Sequence, residues 1–327
     1  MKIYVGGLNA ETREAPGSTK TFTSRISQSG FDVVHNIEEA DLFICIDFLE
    51  ESYKKALEND FVPQKSLLIC FEPLVVWPKN ELMSKESYFS LVLRIGRSKM
   101  EHLNAYRWPQ QWEAARFKVL NSHQRINRVV LINGNKLSLI KGEHYSLRRS
   151  CASKIEKIDL YGTSWDLSFL TKLKCLFGAL KICVGGRILP HISGLSGFFA
   201  GYPQWKGAPR DKLETMQRYR ISLVIENSCE FLTEKLFDSL FAGCIPIYVG
   251  PDIGDFGIPR ELVVQVEPNV DAIRKGIETA SGLDYEKWRI ACLEWLNLAE
   301  VQIQWSADSV YDEIIEKIKN FAYSDLS

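Results

Sequence analysis

Short, unbroken apolar runs recur along the chain, separated by polar or helix-periodic stretches. In the first part they are "KIYVGG" (2–7), "FDVVHN" (31–36), "ADLFICIDF" (40–48), "SLLICFEP" (66–73) and "YFSLVLRIG" (88–96). Runs that are continuous rather than alternating predict parallel strands covered on both faces. "SYKKALEND" (52–60) between them has the polar spacing of a surface helix. A second series starts at "RVVLING" (128–134), with a helix expected over 146–158 and a strand and turn over 159–164. It continues through a helix at 213–220 and strands "ISLVI" (221–225) and "CIPIYVG" (244–250). This alternation predicts an α/β fold built in layers. The polar, aromatic segment 101–127 reads as the passage between halves. Segment 184–212 is rich in Gly and Pro and holds Trp205; loops of that length usually have a function. At the C-terminus Val310, Ile314, Ile315, Ile318 and Phe321 share one face of an amphipathic helix. The domains predicted are 1–126 and 127–300, followed by the helix 301–327.

The 327 residues suffice for two domains of ordinary size. A net charge of −1 argues against a general nucleic-acid binder, which would be basic. No apolar run reaches the ~18 residues that span a bilayer, and the N-terminus reads as a strand and turn, not a signal peptide. The eight cysteines are scattered with no C-x-x-C pair, and no N-x-S/T sequon occurs. Free thiols in a reducing compartment follow, and with them a cytoplasmic location, extending to the periphery of the inner membrane.

The chemistry concentrates in 225–250, "IENSCEFLTEKLFDSLFAGCIPIYVG". Its pattern is strand, turn, helix, strand. Thr233 suits the N-cap, Leu236, Phe237, Leu240 and Phe241 face the sheet, and Gly243 ends the helix. Ligands of open parallel sheets bind beyond the carboxyl ends of the strands, where a helix N-terminus offers free N–H groups to an anion. Lys235 suits a phosphate, and Glu234 suits the paired hydroxyls of a ribose. The same residues suit a capped helix with a solvated Glu–Lys pair, and the residues alone leave both readings open.

"YRISLVIENSCEFLTEKLFDSLFAGCIPIYVGP" resembles the signature of the family 10 glycosyltransferases, the α-1,3/4-fucosyltransferases. The matches are Glu226, Asn227, Ser228, Thr233, Glu234, Lys235, Pro246 and Gly250. The resemblance implies two facing Rossmann-like domains of GT-B type, with the C-terminal helix crossing back to the N-terminal domain. It implies donor binding by the second half and acceptor binding by the first. Asn227, Ser228, Thr233, Glu234 and Lys235 would contact the nucleotide, while Glu226 and Gly250 would shape the turn. Where bacterial members carry a tyrosine used on the donor, this chain has Phe231, so stacking remains and the hydroxyl is lost. Aligning "SLRRSCASKI" puts Arg148 on the arginine that grips the donor diphosphate, with Arg149 as the alternative. Glu72 falls on the general base of the N-terminal domain. Lys206, in "WKG" of the long loop, would be a further donor contact, and Trp205 either lines that pocket or anchors the loop. Gly6–Gly7 permits a close ligand approach but lacks the dinucleotide fingerprint. No D-x-D occurs, and no essential metal or cofactor is implied beyond GDP-fucose as donor substrate.

The function expected is an inverting transfer of L-fucose from GDP-fucose to a hydroxyl of a glycan, with α-1,3/4 linkage, in a soluble bacterial enzyme. Lipopolysaccharide, capsule or oligosaccharide would be the acceptor. The alternatives are a transferase of the same fold using another nucleotide sugar, and a catalytically silent carbohydrate-binding protein.

Overall fold

The computed structural model describes residues 1–8, 19–81, 88–98, 105–107, 109–110 and 125–323. The chain divides into two compact units, Met1–Trp112 with Gln302–Ser327, and Glu113–Val301.

The first unit is built on six strands: β1 (Lys2–Gly6), β2 (Asp32–Val34), β3 (Leu42–Ile46), β4 (Ser66–Cys70), β5 (Leu91–Ile95) and β6 (Ala105–Tyr106). All pair in parallel, in the order β2-β1-β3-β4-β5-β6. β3 and β4 are buried at every residue, as their unbroken apolar runs require. One face packs Ile3, Ile44, Ile46, Leu67, Ile69 and Leu93 against Phe22 and Ile26 of helix Thr19–Gln28. The same core takes in Tyr311, Ile314, Ile315 and Ile318 of the final helix, Ala307–Tyr323. Phe22 and Tyr311 lie 5.5 Å apart, Arg25 sits over the Tyr311 ring, and Arg25 pairs with Asp308. The C-terminal helix therefore completes the N-terminal sheet.

Gly7, at the end of β1, has φ +114°, and a Cβ there would lie 2.1 Å from the Ile46 carbonyl oxygen. The close approach expected at this glycine is made by the end of β3. Arg107 lies over the Trp305 ring of the same unit at 5.2 Å.

The second unit holds β7 (Ile126–Ile132), β8 (Ile158–Tyr161), β9 (Tyr219–Ile225), β10 (Ile245–Val249) and β11 (Val264–Gln265). They too are parallel, in the order β11-β10-β9-β7-β8. Its helices include Tyr145–Lys154, Phe169–Gly185, Lys212–Gln217, Glu234–Phe241, Val270–Gly282 and Tyr285–Leu296. Ser168, Asp211, Asn269 and Asp284 each cap a helix by accepting from the N–H three residues on. Gly243 stops helix Glu234–Phe241 at φ +66°.

The α/β architecture of parallel strands agrees with the apolar pattern, with local differences. β4 ends at Cys70, so Glu72 stands in the turn beyond the strand. The helix expected over 146–158 spans Tyr145–Lys154, because Ile158 already enters β8. Helix Phe169–Gly185 and helices Val270–Gly282 and Tyr285–Leu296 stand where the pattern singled out no element, whereas the final helix Ala307–Tyr323 stands where one was expected. The passage 101–127 falls largely outside the described residues. No helix among those described is long and apolar enough to cross a membrane.

Removing the side chain of a fully buried residue of the final helix should open a cavity under the first sheet. Ile314→Ala is expected to lower stability by about 2–5 kcal/mol in urea unfolding, with the exposed Lys317→Ala within roughly 0.5 kcal/mol of the parent.

Candidate functional site

In the second sheet the chain passes from β7 to β8 on one side and later resumes at β9 on the other. Such a reversal leaves a crevice beyond the carboxyl ends of the two strands, the usual ligand position in open parallel sheets. The segments that follow β7 and β9 are joined there. The His144 N–H donates to the Asn227 carbonyl at 3.0 Å. Arg148 Nη2 donates to the Ile225 carbonyl at 2.7 Å and to Asn227 Oδ1 at 2.9 Å. The Arg148 guanidinium is buried over the Tyr145 ring at 4.7 Å, and its Nε has no partner among the described residues.

Glu226, the first residue after β9, is fully buried. Its carboxylate accepts from the Thr233 N–H at 2.9 Å, from Thr233 Oγ1 at 2.8 Å and from Lys235 Nζ at 3.3 Å. Lys235 Nζ also donates to Thr233 Oγ1 at 2.7 Å. Thr233 does occupy the N-cap position, but its hydroxyl turns to Glu226 and leaves the helix N–H groups uncapped by that side chain. Lys235 is 17% exposed. Burial disfavours its charge, yet Glu226 and Glu234 more than compensate, so its pKa is raised.

Glu234 is the open member of the pair, at 43% exposed. Burial pushes its carboxyl up, but Lys235 and Lys212 prevail and hold it at about 2. Lys212 lies 4.0 Å from Glu234 and also pairs with Asp238. Asn133, at the end of β7, lines a small cavity together with Lys212 and Lys235.

β10 closes the turn from the other side. The Tyr248 hydroxyl is fully buried without a hydrogen-bond partner among the described residues, and burial first, then Glu226, raises its pKa well above the usual value. A Cβ on Gly250 would meet the Tyr248 oxygen at 2.3 Å and Glu226 Cγ at 2.9 Å, so the site requires glycine there. Ser228 is buried and its Oγ accepts from the Glu230 N–H at 3.3 Å. Phe231 is 1% exposed, its ring enclosed by protein.

Of the residues predicted from sequence, the structure brings together Glu226, Asn227, Ser228, Phe231, Thr233, Glu234, Lys235, Gly250 and Arg148. Between the paired arginines, Arg148 reaches the turn. Arg149 is spent on the carbonyls of Lys136, Gly194 and Ser196, which it ties to its own helix. Lys206 is placed elsewhere, paired with Asp159 at 2.9 Å on β8 beside Arg128 and Tyr219. Trp205 donates through Nε1 to the Gly162 carbonyl, which fastens the long loop to the end of β8.

Glu72 belongs to the first unit. Its N–H and that of Phe71 both donate to Asp47 Oδ1 at 2.9 Å, and Asn80 Nδ2 donates to the same oxygen and to the Glu72 carbonyl. Asp47 is fully buried at φ +50° just beyond β3. Sequence reasoning missed Asp47, although a carboxylate ending the apolar run "LFICIDF" has the same signature that drew attention to Glu72. It also missed His144, whose Nε2 lies 3.5 Å from Cys229 Sγ. Burial, then Arg148, lowers the His144 pKa from 6.5 to about 4.

No family model matches the chain. A fucosyltransferase-like protein of Arabidopsis thaliana is 51% identical over 64 residues, which is 19% of this chain and 12% of that protein's length. A crystal structure of an α1,3-fucosyltransferase superposes with a TM-score of 0.56 at 13% identity, covering 98% of this chain and 90% of the other. An α1,3-fucosyltransferase with GDP gives 0.52 at 14% identity, with the same coverage. The Anabaena protein HepE in complex with UDP and glucose gives 0.57 at 10% identity, covering 98% and 100%. These likenesses show the fold, which is that of the GT-B glycosyltransferases.

Removing the Glu226 carboxylate should strand Lys235 and two Thr233 donors in the interior. Glu226→Ala is expected to cost about 3–5 kcal/mol in chemical denaturation. His144 gives a pH signature. Its folded pKa lies below the unfolded value, so from pH 6.5 down to about 4 the unfolded chain binds the extra proton and stability falls. His144→Gln should remove that part of the slope, read from urea midpoints across the window.

Proposed function

We propose that this chain is an inverting fucosyltransferase, moving L-fucose from GDP-fucose to a glycan hydroxyl in α-1,3/4 linkage. The observation that carries this reading is the assembly at one crevice of the Glu226–Lys235 motif with Arg148, on a glycosyltransferase fold. The Arabidopsis relative and the GDP-bound structural neighbour support it. The N–H groups in the first turn of helix Glu234–Phe241 and the ammonium of Lys235 receive the diphosphate. The exposed Glu234 carboxylate, ionised above pH of about 2, accepts from the ribose hydroxyls. Arg148 acts mainly by fixing Asn227 and the end of β9, since Nη2 is already engaged.

In the transfer the acceptor oxygen bonds to the anomeric carbon as the bond from that carbon to the phosphate oxygen breaks. Glu72 takes the acceptor proton, and GDP leaves as an anion stabilised by Lys235 and the helix N-terminus. The backbone clamp on Asp47 fixes where Glu72 begins. Bacterial surface glycans, lipopolysaccharide or capsule, supply acceptors of the required chemistry, and a cytoplasmic enzyme would meet their precursors. A same-fold transferase using another nucleotide sugar is the second reading. It is favoured by the enclosed ring of Phe231 and by a similar superposition on a UDP-bound neighbour.

GDP and GDP-fucose are expected to raise the melting temperature, and UDP and UDP-glucose to leave it unchanged. Lys235→Ala should abolish the GDP shift, measured beside its own unliganded melt. Glu72→Gln should keep the GDP shift and lose transfer of labelled fucose by on the order of 10²-fold or more. Stabilisation by UDP in place of GDP would move the assignment to the second reading.

A further inference from the structure

Helix Phe169–Gly185 follows the edge strand β8 and buries only Lys172, Ala179 and Cys183. Lys172 Nζ donates to the Ala200 carbonyl at 3.0 Å, and Cys183 Sγ contacts the Leu139 carbonyl. The opposite side carries Leu170, Lys174, Phe177, Lys181 and Val184. Their spacing of four, three, four and three places them in one stripe along the helix. Leu170, Phe177 and Val184 are 70%, 60% and 75% exposed, and the two lysines between them are exposed too. Past the helix end, Arg187, Leu189 and Ile192 continue the exposed surface. From 167 to 210 the chain contains Lys172, Lys174, Lys181, Arg187, Lys206 and Arg210 and no Asp or Glu, although the whole sequence is nearly neutral.

We propose that this face docks peripherally on an anionic lipid surface, with the helix axis lying along it. The stripe has the two components such binding needs: large apolar side chains that enter the acyl boundary, and cations at the depth of the phosphates. Lysine suits the alternation, because its aliphatic stem lies along apolar surface while the ammonium reaches outward. A second copy fits poorly. Facing stripes would bring Lys174 and Lys181 against like charges, with no carboxylate in the segment to pair them. The helix is also too short and too charged to span a bilayer. This inference concerns a surface distinct from the crevice residues and does not depend on the donor.

Flotation with lipid vesicles tests it. The full chain should float with phosphatidylcholine vesicles carrying roughly 30 mol % phosphatidylglycerol and not with phosphatidylcholine alone, and added salt should release it. The pairs Phe177→Ser with Val184→Ser, and Lys174→Glu with Lys181→Glu, should each weaken binding about tenfold or more. Circular dichroism melts and nucleotide-induced shifts should stay at the parent values, since these side chains are exposed and lie outside the crevice. Absence of flotation, equal flotation with neutral vesicles, or unchanged binding in both double variants overturns the proposal. So does a dimer in sedimentation equilibrium that the same variants abolish without any vesicle binding, because a second copy would then cover the face.

Discussion

The second unit turns on one buried carboxylate. Glu226 has no access to water, and a carboxylate group is tolerable there because three donors converge on it. Two of those donors come from Thr233 and one from Lys235, so the end of β9 is bound to the start of the next helix through a single side chain. Tyr248 and Gly250 then follow from shape, since the ring fills the space beside the carboxylate and leaves no room for a Cβ. The anion that a lysine in the first helical turn requires is thus supplied internally. Around the turn, Arg148, Lys212 and Lys235 are balanced by Glu226, Glu234 and Asp238. Attraction for a phosphate therefore rests on directed N–H groups and local geometry more than on surplus charge.

The first unit uses the same device. Asp47 follows β3 as Glu226 follows β9, and each of these strands lies beside the first strand of its sheet, β1 or β7. Each buried carboxylate collects backbone N–H groups from a neighbouring turn. Asp47 holds 71 and 72, and Glu226 holds 233. A carboxylate at a strand end thereby substitutes for the sheet hydrogen bonds that stop there. In both units the residue singled out for chemistry, Glu72 or Lys235, is held by such a clamp, which limits the conformations it can sample.

The parallel strands were legible because burial on both faces leaves unbroken apolar runs, and helix Glu234–Phe241 because its cap, apolar face and terminal glycine agree. Long-range pairing was not legible. Lys206 finds Asp159, and Arg149 finds three carbonyls beyond residue 135, through contacts that no local spacing announces. Even within the motif, Lys235 approaches Glu226 at 3.3 Å more closely than its neighbour Glu234 at 3.7 Å. Sequence adjacency points outward along a helix, whereas the longer step returns the ammonium to the strand end. Helix Phe169–Gly185 escaped notice because apolar residues lie on several of its sides, which blurs the period that identifies an amphipathic helix.

That blurring has a physical meaning. A helix that packs on one face against a sheet concentrates its apolar residues there, and polar residues take the rest. In Phe169–Gly185 the inward face contains a lysine satisfied by a carbonyl, while phenylalanine, leucine and valine point outward. Folding stability does not select such an arrangement, because outward apolar side chains gain nothing from the core. The near-neutral total charge conceals a related segregation, with cations alone from 167 to 210 and a net acidic remainder. Total charge was sufficient to argue against a general nucleic-acid binder, but it carries no information about where charge is placed. Position along the chain, read with exposure, does carry that information, and it separates a surface built for contact from the crevice built around Glu226.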